Sequence, residues 1–533
     1  MYSPRLVRST LGFLLIATLW LGFQMASAAW PGDGPEQTIP PANSPSGSGE
    51  LVPGEVLVKF KSDASPTSVQ AALSAQDVRA VGEVAALGVQ RLTVPKGQEL
   101  AIVAALRHHP LVEYAEPNYI IHAVLDPNDP FFASQWGLTK IGAPQAWDVT
   151  TGSSDLTIAI VDSGIDLDHP DLGGKIILGY DYVNGDWHPD DDYGHGTHVA
   201  GIAAARTNNS TGVAGVSWGA WLMALKVLNA EGTGSYADVA SAVTYAADHG
   251  AKIINLSLGG DYDSQTLHDA VIYAHNAGCV LAAATGNDGY PEVLYPAKYA
   301  EALAVAATGS TDQWAWFSNY GPEADVAAPG VGIYSTYLGG GYTSMDGTSM
   351  AAPHVAGLVA LIWSEYPGYT NDQVEGRIEM TALDLGAPGW DPYYGHGRID
   401  TQAALCTPDL GASPQSIAFL ADDTTDPMPS SQTVSVLNTG CDPVAWTAVI
   451  SPSTATWLSA APLSGAATKT SPGSIALSAN KSGLGYGTYN AQVVISTTQT
   501  TVWGNPQTVD VKLIYMEELY KIILFPILKN YSW

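Results

Sequence analysis

The stretch YGHGTHVAG, residues 193–201, contains two histidines three positions apart, His195 and His198. An imidazole can bind a metal ion, act as a general base or lie buried in a protein core. The usual zinc-protease pattern places its histidines at i and i+4 on a helix, with a glutamate after the first. Here the spacing is i and i+3, and Gly196 follows the first histidine. The pair therefore does not match that metal pattern, and a proton-transfer role requires partners elsewhere in the chain.

Two other glycine-flanked stretches carry a carboxylate and a hydroxyl. Asp162 lies in IAIVDSGID (158–166), after an apolar run, and Ser349 lies in DGTSMAAPHVAG (346–357), before another. Taken singly, the aspartate is typical of a turn and the serine of a helix N-cap. Together with His195 they supply an acid, a base and a nucleophile in the chain order Asp, His, Ser. This combination favours catalysis by a serine hydroxyl that a histidine deprotonates.

The residues between about 126 and 405 predict the framework that positions these side chains. Short apolar strands alternate there with helical segments, which indicates a parallel sheet buried on both faces. Strands are predicted at 156–162, 220–228, 251–258, 278–285 and 302–308, and helices at 196–206, 235–250 and 351–366. In parallel α/β sheets, catalytic residues collect at the carboxyl ends of the strands. Asp162 falls at such an end.

The chain resembles the subtilisin-like (subtilase, peptidase S8) serine peptidases, and its middle third is most similar to the thermitase-like branch. The resemblance rests on VDSGID, GHGTHVAG, INLSLGG, ATGND and GTSMAAPHVAG, five separated motifs in the family's order. It implies a serine endopeptidase with an α/β fold, in which helices sandwich a seven-stranded parallel sheet. A small α+β propeptide would precede this domain, and a β-sandwich domain would follow it.

The resemblance assigns roles residue by residue. Ser349 matches the nucleophile, His195 the general base, and Asp162 the carboxylate that orients the imidazole. Asn287, in TGND, matches the amide that stabilises the tetrahedral oxyanion together with the backbone N–H of Ser349. His198 is then expected to be a buried structural neighbour that braces the start of the helix.

A substrate cleft is also implied. The segment SLGG would pair its backbone with an extended peptide, and with residues 282–285 it would form the walls of the main specificity pocket. A leucine near the pocket floor and an aspartate at its rim predict medium-sized apolar side chains, with basic ones tolerated. The implied substrate-binding residues are Ser257, Leu258, Gly259, Gly260, Asp288 and Leu294.

Structural calcium is implied as a cofactor, because acidic and amide oxygens recur at the family's cation positions. One site would combine three side-chain oxygens with three backbone carbonyls, from Asp129, Asp171 and Asn209, and from Thr207, Thr211 and Val213. A second site would use the loop carboxylates of Asp181, Asp186 and Asp190. It would be weakened because Asn184 stands where an acid is expected, and a solvated acidic loop is the open alternative.

The amino-terminal segments predict an exported precursor. Residues 1–28 have the charged start, apolar run and ASA cleavage pattern of a signal peptide. Residues 29–50, rich in Pro, Gly and Ser, indicate a linker. Residues 51–124 resemble the family's inhibitor I9-like propeptide. The resemblance implies an intramolecular inhibitor that is removed by autocleavage within 121–127, although an independent binding domain is the alternative.

Three segments complete the predicted division: the peptidase domain at 125–405, a β-sandwich accessory domain at 407–516 and an apolar tail at 517–533. Short β-rich runs between turn signals indicate the sandwich. It faintly resembles carbohydrate- or surface-binding domains, and tethering is the alternative role. Cys406 and Cys441 flank its first part, but spacing alone cannot establish that they pair.

Composition limits the class of function. The 533 residues carry 21 Lys+Arg against 51 Asp+Glu, a formal charge of −30, which argues against nucleic-acid binding. No stretch after the signal segment is long enough to cross a bilayer. We therefore expect a secreted monomer, either free or associated with the cell surface, that acts on extended peptides or unfolded proteins. Two alternatives remain open: an inactive subtilase that serves as a binding module, and an adhesion protein whose peptidase only processes itself.

Overall fold

The structure is a computed structural model that describes residues 51–518, apart from 66, 70–72, 74–77, 121–124 and 500. The predicted signal peptide and linker, most of the apolar tail and part of the predicted maturation segment lie outside the described residues. No helix in the described part of the chain is both long and apolar enough to cross a membrane.

The first folded region is a four-stranded antiparallel sheet with a helix packed against it. Its strands, β1 (Leu51–Phe60), β2 (Arg79–Val84), β3 (Val89–Thr93) and β4 (Val112–Tyr119), lie in the order β2-β3-β1-β4, and one of its helical segments is α1 (Glu99–Arg107). Val58, Leu92 and Leu106 belong to its buried core. The strand β2 was not predicted. Its side chains are almost all exposed, so the alternation of buried apolar residues that marks a strand is missing.

The middle of the chain folds around a seven-stranded parallel sheet. Its strands are β5 (Thr157–Asp162), β6 (Ile176–Asp181), β7 (Trp221–Lys226), β8 (Ile253–Leu256), β9 (Val280–Ala284), β10 (Leu303–Thr308) and β11 (Val326–Pro329). They lie in the order β11-β10-β9-β8-β5-β7-β6. Every residue of β8, β9 and β10 is buried, as expected for a sheet with helices on both faces. The predicted seven-stranded parallel sheet is confirmed.

Helices cover both faces of this sheet. They are α2 (Trp136–Lys140), α3 (Ala143–Trp147), α4 (His195–Ala204), α5 (Tyr236–Asp248), α6 (Gln265–Asn276), α7 (Thr348–Glu365), α8 (Asn371–Thr381) and α9 (Thr401–Cys406). Ile158 and Ile160 of β5 pack in one core with α4 and α7, whereas Ala159 and Val161 pack in another with α5 and α6. Successive side chains of a strand point to opposite faces, so one strand serves both cores. A hairpin of β12 (Ile333–Tyr337) and β13 (Gly341–Met345) lies against α4.

The carboxyl-terminal region is a β-sandwich, as predicted. Its strands are β14 (Leu410–Ser413), β15 (Ser416–Ala421), β16 (Gln432–Asn438), β17 (Val444–Ser451), β18 (Leu458–Ala461), β19 (Ser464–Ala467), β20 (Gly473–Ala479), β21 (Gly487–Ser496) and β22 (Gln507–Tyr515). They form one sheet in the order β14-β16-β20-β18 and a second in the order β15-β22-β21-β17-β19. A disulfide joins Cys406 at the end of α9 to Cys441 in the sandwich.

Candidate active site

The order of the central sheet places the predicted catalytic residues side by side. Asp162 ends β5, Ser257 follows the adjacent strand β8, and Asn287 follows β9, the next strand along. Because all three strands are parallel, their carboxyl ends share one edge of the sheet, with neighbouring strands about 4.8 Å apart. Residues far apart in the sequence therefore meet at this edge.

His195 is the first residue of α4, and its ring contacts the end of β5. Its Nδ1 lies 2.8 Å from Oδ1 and 3.0 Å from Oδ2 of Asp162, a fully buried carboxylate. The helix comes this close because Gly196 has no side chain: a Cβ there would lie 2.1 Å from the carbonyl oxygen of Gly164. Gly196, the second glycine in GHGTH, is thus required because the two backbones approach each other so closely there.

The environment of His195 defines its proton chemistry. Burial favours the neutral ring, but the charge and hydrogen bond of Asp162, together with the charge of Asp191, outweigh burial and raise the pKa of His195. Since a carboxylate only accepts hydrogen bonds, Nδ1 carries the proton when the ring is neutral. The lone pair then resides on Nε2, the atom that a general base would use.

Ser349 lies in the first turn of α7, the helix that starts at Thr348. Its hydroxyl donates a hydrogen bond to the backbone carbonyl of Ser257 at 3.1 Å. Among the hydrogen bonds of the described residues there is none between Ser349 Oγ and His195 Nε2. Catalytic hydrogen bonds are often long without substrate and tighten in the Michaelis complex, so this resting geometry is compatible with a nucleophile.

Pro353 explains a second bond between the same two serines. A helix residue normally donates its N–H to the carbonyl four residues before it, but proline has no N–H to donate to the carbonyl of Ser349. The hydroxyl of Ser257 donates to that carbonyl instead, at 2.7 Å. Asn255 in turn donates from Nδ2 to the Ser257 hydroxyl at 2.9 Å. Ser257 therefore holds both the backbone and the side chain of Ser349.

Asn287 has one half of its amide engaged and the other half free to act. Its Oδ1 accepts hydrogen bonds from the backbone N–H of Thr348 at 2.8 Å and from the Thr348 hydroxyl at 3.0 Å. This leaves Nδ2 as a donor beside Gly347, where a Cβ would lie 3.5 Å from it. The N–H of Ser349 belongs to the first turn of a helix and has no partner within that helix. Two such donors can stabilise an oxyanion.

Comparisons with known proteins agree with this geometry. The family model described as "Subtilase family" matches residues 153–397. The chain is 45% identical over 370 residues to the thermophilic serine proteinase of Bacillus sp. (strain AK1), covering 69% of this chain and 91% of that protein. It is 49% identical over 280 residues to thermitase of Thermoactinomyces vulgaris, covering 52% of this chain and 99% of thermitase. The chain belongs to the subtilase family.

Two further family models match the regions on either side of this subtilase domain. A model described as "Fervidolysin N-terminal prodomain" matches residues 37–118, and one described as "Viral BACON domain" matches 409–505. A protease from Pseudoalteromonas arctica of known structure is 34% identical, with a TM-score of 0.49, covering 52% of this chain and 98% of that one. The predicted thermitase-like subtilase with a propeptide is confirmed, and the enzyme is a serine endopeptidase.

The predicted specificity residues of the subtilase gather beside the catalytic edge. Gly260 and Tyr295 exchange backbone hydrogen bonds of 2.9 and 3.0 Å, which draws the SLGG segment towards Leu294. A Cβ on Gly259 would lie 2.9 Å from Cβ of Leu294, and one on Gly286 would lie 2.8 Å from its Cγ. Leu294 also donates its backbone N–H to the carbonyl of Thr285 at 3.0 Å, so it lies between the two segments predicted to form the pocket walls. Asp288 is exposed, with its backbone N–H bound to the side chain of Asn319 at 2.8 Å.

The first predicted calcium set is brought together around the loop 207–213. Asp129 is 4% exposed and Asp171 is fully buried. Asp129 accepts the backbone N–H of Asn209 at 3.1 Å, while Asp171 accepts the Asn209 amide at 2.9 Å and the backbone N–H of Val213 at 2.8 Å. Burial raises the pKa of Asp171; the hydrogen bonds from Val213 and Asn209 oppose that shift, and the nearby charge of Asp129 reinforces it.

The donor chemistry of this loop fits calcium. Among the described residues, the carbonyl oxygens of Thr207, Thr211 and Val213 accept no hydrogen bond, whereas that of the intervening Gly212 accepts one from Phe131 at 2.9 Å. The three predicted carbonyl ligands are thus among the carbonyls of this loop that accept no hydrogen bond from a described residue, together with those of Asn208, Asn209 and Ser210. Two neighbouring buried carboxylates and three free carbonyls are the oxygen-rich donor set that Ca²⁺ prefers.

The second predicted calcium set is not assembled in the structure. Asp181 accepts backbone N–H groups from its own turn, as does Asp186 from His188, and Asp190 accepts the backbone N–H of Leu167 at 3.1 Å. In the described part of the chain, these three do not form a group with ligand atoms within 4.8 Å of one another. Asp181 and Asp186 stabilise their own turns, whereas Asp190 binds the segment after β5, so the three carboxylates are engaged separately. Asp181 is buried, and Asp186 and Asp190 are exposed.

Sequence reasoning missed Asp191, which organises the catalytic edge from behind. This buried carboxylate accepts the Ser163 hydroxyl at 2.8 Å and, from Thr197, both the hydroxyl at 2.6 Å and the backbone N–H at 2.9 Å. It also accepts the backbone N–H groups of the two residues before His195, at 3.0 and 2.8 Å. The run DDDYGHGTH contained the signal, but it was interpreted as part of a metal-binding or solvated acidic loop, with Asp190 as its one candidate ligand.

Lys226 was missed as well. It ends β7 beside Asp162 and is fully buried. Its ammonium group donates to the backbone carbonyls of Ser163 and Leu228, at 2.7 and 2.9 Å, and pairs with Asp192. A buried lysine requires such partners, and here they fix the turn that follows Asp162.

Proposed function

We propose that this subtilase is an exported endopeptidase that hydrolyses peptide bonds through Ser349, His195 and Asp162, with Asn287 as the side-chain oxyanion donor. The observation that carries the proposal is the position of the buried Asp162–His195 pair at the end of β5. The end of the neighbouring strand β8 lies beside it, and there the carbonyl of Ser257 accepts the Ser349 hydroxyl. An isolated turn aspartate or N-cap serine would not explain this convergence.

The geometry supports a definite sequence of proton transfers. An extended peptide would pair with the SLGG segment, its side chain entering the pocket between Gly259 and Leu294. His195 Nε2 would take the Ser349 proton as the hydroxyl attacks the peptide carbonyl, and Asp162 would stabilise the charged ring. Asn287 Nδ2 and the Ser349 N–H would stabilise the oxyanion. His195 would then protonate the leaving amine, and water would hydrolyse the acyl-enzyme.

Export and self-processing are part of the proposal. The first 28 residues support a signal peptide, and the disulfide between Cys406 and Cys441 is typical of an oxidising compartment. The match of residues 37–118 to a prodomain supports an intramolecular inhibitor. Autocleavage would fall within 121–127, after the last strand of that region.

A serine-directed fluorophosphonate probe tests the mechanism. The processed wild-type enzyme should be labelled, whereas Ser349→Ala should remain unlabelled and accumulate as the uncleaved precursor. Ser364→Ala is the matched control, because Ser364 lies on the same helix and only donates to the carbonyl of Ala360. Equal labelling of wild type and Ser349→Ala would refute the assignment. Absence of labelling in every processed variant would instead favour the inactive-subtilase alternative.

Calcium binding by Asp129, Asp171, Asn209 and the loop carbonyls completes the proposal. The ion would neutralise two buried carboxylates and fasten the loop 207–213 to the segment around Asp129. It would supply structural stability, while the proton transfers remain with the triad. The free carbonyl oxygens and the raised pKa of Asp171 support this site.

Chelation of the full chain carrying Ser349→Ala tests the calcium site. Calcium at about a hundred times its dissociation constant contributes about 2.7 kcal/mol, so its removal should lower the melting temperature by about 5–10 °C. Asp171→Asn should abolish the response to chelator, whereas Asp186→Asn, in the second acidic set, should retain it. An unchanged response in Asp171→Asn would place the calcium elsewhere.

A further inference from the structure

A second cluster of metal-ligating side chains lies outside the active site, where the end of α6 meets the start of α8. His275, Asp372 and Glu375 each offer a ligand atom, and these atoms lie within 4.8 Å of one another. In the part of the chain that the structure describes, this is the single group of three or more His, Cys, Asp or Glu side chains to do so. The catalytic mechanism and the calcium proposal use none of the three.

Two of the three distances in this cluster are close to those between ligands around one ion, and the third is within 4.8 Å. Nε2 of His275 lies 3.4 Å from Oδ1 of Asp372 and 3.8 Å from Oε2 of Glu375. Both exceed the range of about 2.7–3.2 Å for an ordinary N–H···O hydrogen bond. Around zinc, with bonds of about 2.0–2.2 Å in a tetrahedron, neighbouring ligand atoms are separated by about 3.4 Å. The cluster would need little adjustment to enclose such an ion.

Rigid elements hold the three side chains in place. Asp372 and Glu375 are separated by one turn on α8, so they project from the same side of the helix. A reciprocal capping box between Thr370 and Gln373 fixes the start of that helix. Asn371 donates from its amide to the carbonyl of His275 at 3.0 Å, which ties the two helices together at the cluster.

The Glu375 carboxylate has a second oxygen without a partner, beside the Oε2 that lies 3.8 Å from His275. Oε1 of Glu375 is buried, yet it has no hydrogen-bond partner among the described residues. The negative charges of Asp372, Asp325 and Glu379 also act on Glu375. A buried, unpartnered carboxylate oxygen among further acids is unfavourable, and a bound cation would remove that cost.

We propose that His275, Asp372 and Glu375 bind a divalent transition-metal cation, Zn²⁺ by ligand chemistry, that clamps the carboxyl end of α6 to the start of α8. An imidazole nitrogen with two carboxylate oxygens suits zinc, whereas calcium prefers oxygen ligands alone. Water would complete the coordination. The site is structural, and its occupancy is independent of the serine mechanism.

Zinc titration of the full chain carrying Ser349→Ala, with calcium in excess, tests the proposal by calorimetry and by thermal unfolding. The parent should bind one more zinc ion than Asp372→Asn or His275→Asn at this site, or bind it at least about tenfold more tightly. Cobalt should give visible absorption bands in the parent that zinc abolishes. Asp372 is 76% exposed, so its replacement leaves the fold intact even if His275→Asn does not fold.

His268→Asn is the matched control. His268 lies on the same helix α6 and pairs with one carboxylate, that of Glu301, at 3.0 Å, so its loss should leave the zinc isotherm and the zinc-induced rise in melting temperature unchanged. Equal zinc affinity in the parent and in Asp372→Asn would overturn the proposal. Equal zinc-induced stabilisation in both would do so too, and would identify the cluster as an ion-pair group only.

Discussion

The two histidines of α4 share one helix and one turn, but they face different surroundings. His195 faces the end of β5, where it meets the two carboxylate oxygens of Asp162. His198 faces the hairpin, where Nε2 donates to the carbonyls of Ile333 and Thr343 at 3.0 and 3.1 Å. Burial lowers the pKa of both rings. For His195 the carboxylate reverses that shift, whereas the pKa of His198 falls to about 4.

The comparison shows that the partner of a buried histidine, rather than burial itself, determines its chemistry. A carboxylate stabilises the charged ring, so His195 can accept a proton during catalysis. Backbone carbonyls hold His198 as a neutral donor that fastens α4 to β12 and β13. The carbonyl of His198 also accepts the Ser335 hydroxyl at 2.8 Å. Under the proposed function, His195 is therefore the reacting group and His198 a brace.

The largest expected effect separates these two roles directly. Replacing His195 by Ala should lower kcat by about 10⁶, because Ser349 loses its base. His198→Gln keeps an N–H donor for the hairpin carbonyls and should retain kcat within about tenfold. Peptide hydrolysis measures both, after the His195→Ala precursor has been processed in trans by wild-type enzyme that is removed before the assay. A loss of activity in His198→Gln comparable with that of His195→Ala, in a variant that still folds, would contradict the division of roles.

Replacing the Asp162 carboxylate, which contacts His195, is expected to have the next largest effect. Asp162→Asn keeps the size of the side chain but presents an amide that can hold the imidazole in the wrong tautomer, so kcat should fall by about 10⁴. Progress curves at alkaline pH, where hydroxide partly substitutes for the base, should show a smaller loss. Activity near the wild-type value would mean that Asp162 does not orient the ring.

The core of this arrangement was predictable because it depends on local sequence signals. Near-continuous apolar strands indicated the buried parallel sheet, and three short motifs carried Asp162, His195 and Ser349. The strands β6 and β11 escaped prediction: β6 is a half-exposed edge strand and β11 has four residues. Pairing with neighbouring strands sets the positions of β6 and β11, and the spacing of apolar residues along the sequence does not reveal that pairing.

The supporting roles of certain residues were not predictable for a related reason. Asp191, Lys226 and Ser257 act through bonds to residues that only the fold brings near. The acidic run around Asp191 looked uniform in the sequence. In the structure it divides into a buried acceptor, Asp191, and exposed neighbours such as Asp190. Burial, which no spacing encodes, distinguishes the positioning carboxylate from the solvated ones.

Asp191→Asn tests the comparison because it changes the hydrogen bonds and the charge near His195 and not those near His198. Asn keeps one acceptor, but its NH₂ opposes the backbone N–H groups that Asp191 accepts, so His195 shifts and kcat should fall by about 10–100-fold. The lost charge also lowers the pKa of His195. Since the base must be neutral and the rate falls as pH drops through that pKa, the acid limb of the pH–rate profile should move to lower pH. Asp190→Asn, on the exposed side, is the control. An acid limb at the wild-type position would show that Asp191 has no electrostatic influence on the base.

The smallest expected effect concerns the contribution of His198 to the free energy of unfolding and its dependence on pH. A histidine whose pKa is lower in the folded than in the unfolded protein binds its proton more readily when unfolded. Its contribution is therefore complete above about pH 6.5 and is lost as the pH falls towards 4. A pKa of about 4 for His198 corresponds to a loss of about 3 kcal/mol over that interval.

In a Ser349→Ala background, denaturant unfolding at pH 7 and pH 4.5 should show a smaller acid destabilisation for His198→Gln. His354, whose pKa also falls to about 4 through burial, should keep its own share, so the pH dependence should shrink without vanishing. An unchanged pH dependence in His198→Gln would mean that the brace accommodates a charged ring, and the contrast with His195 would then rest on geometry alone.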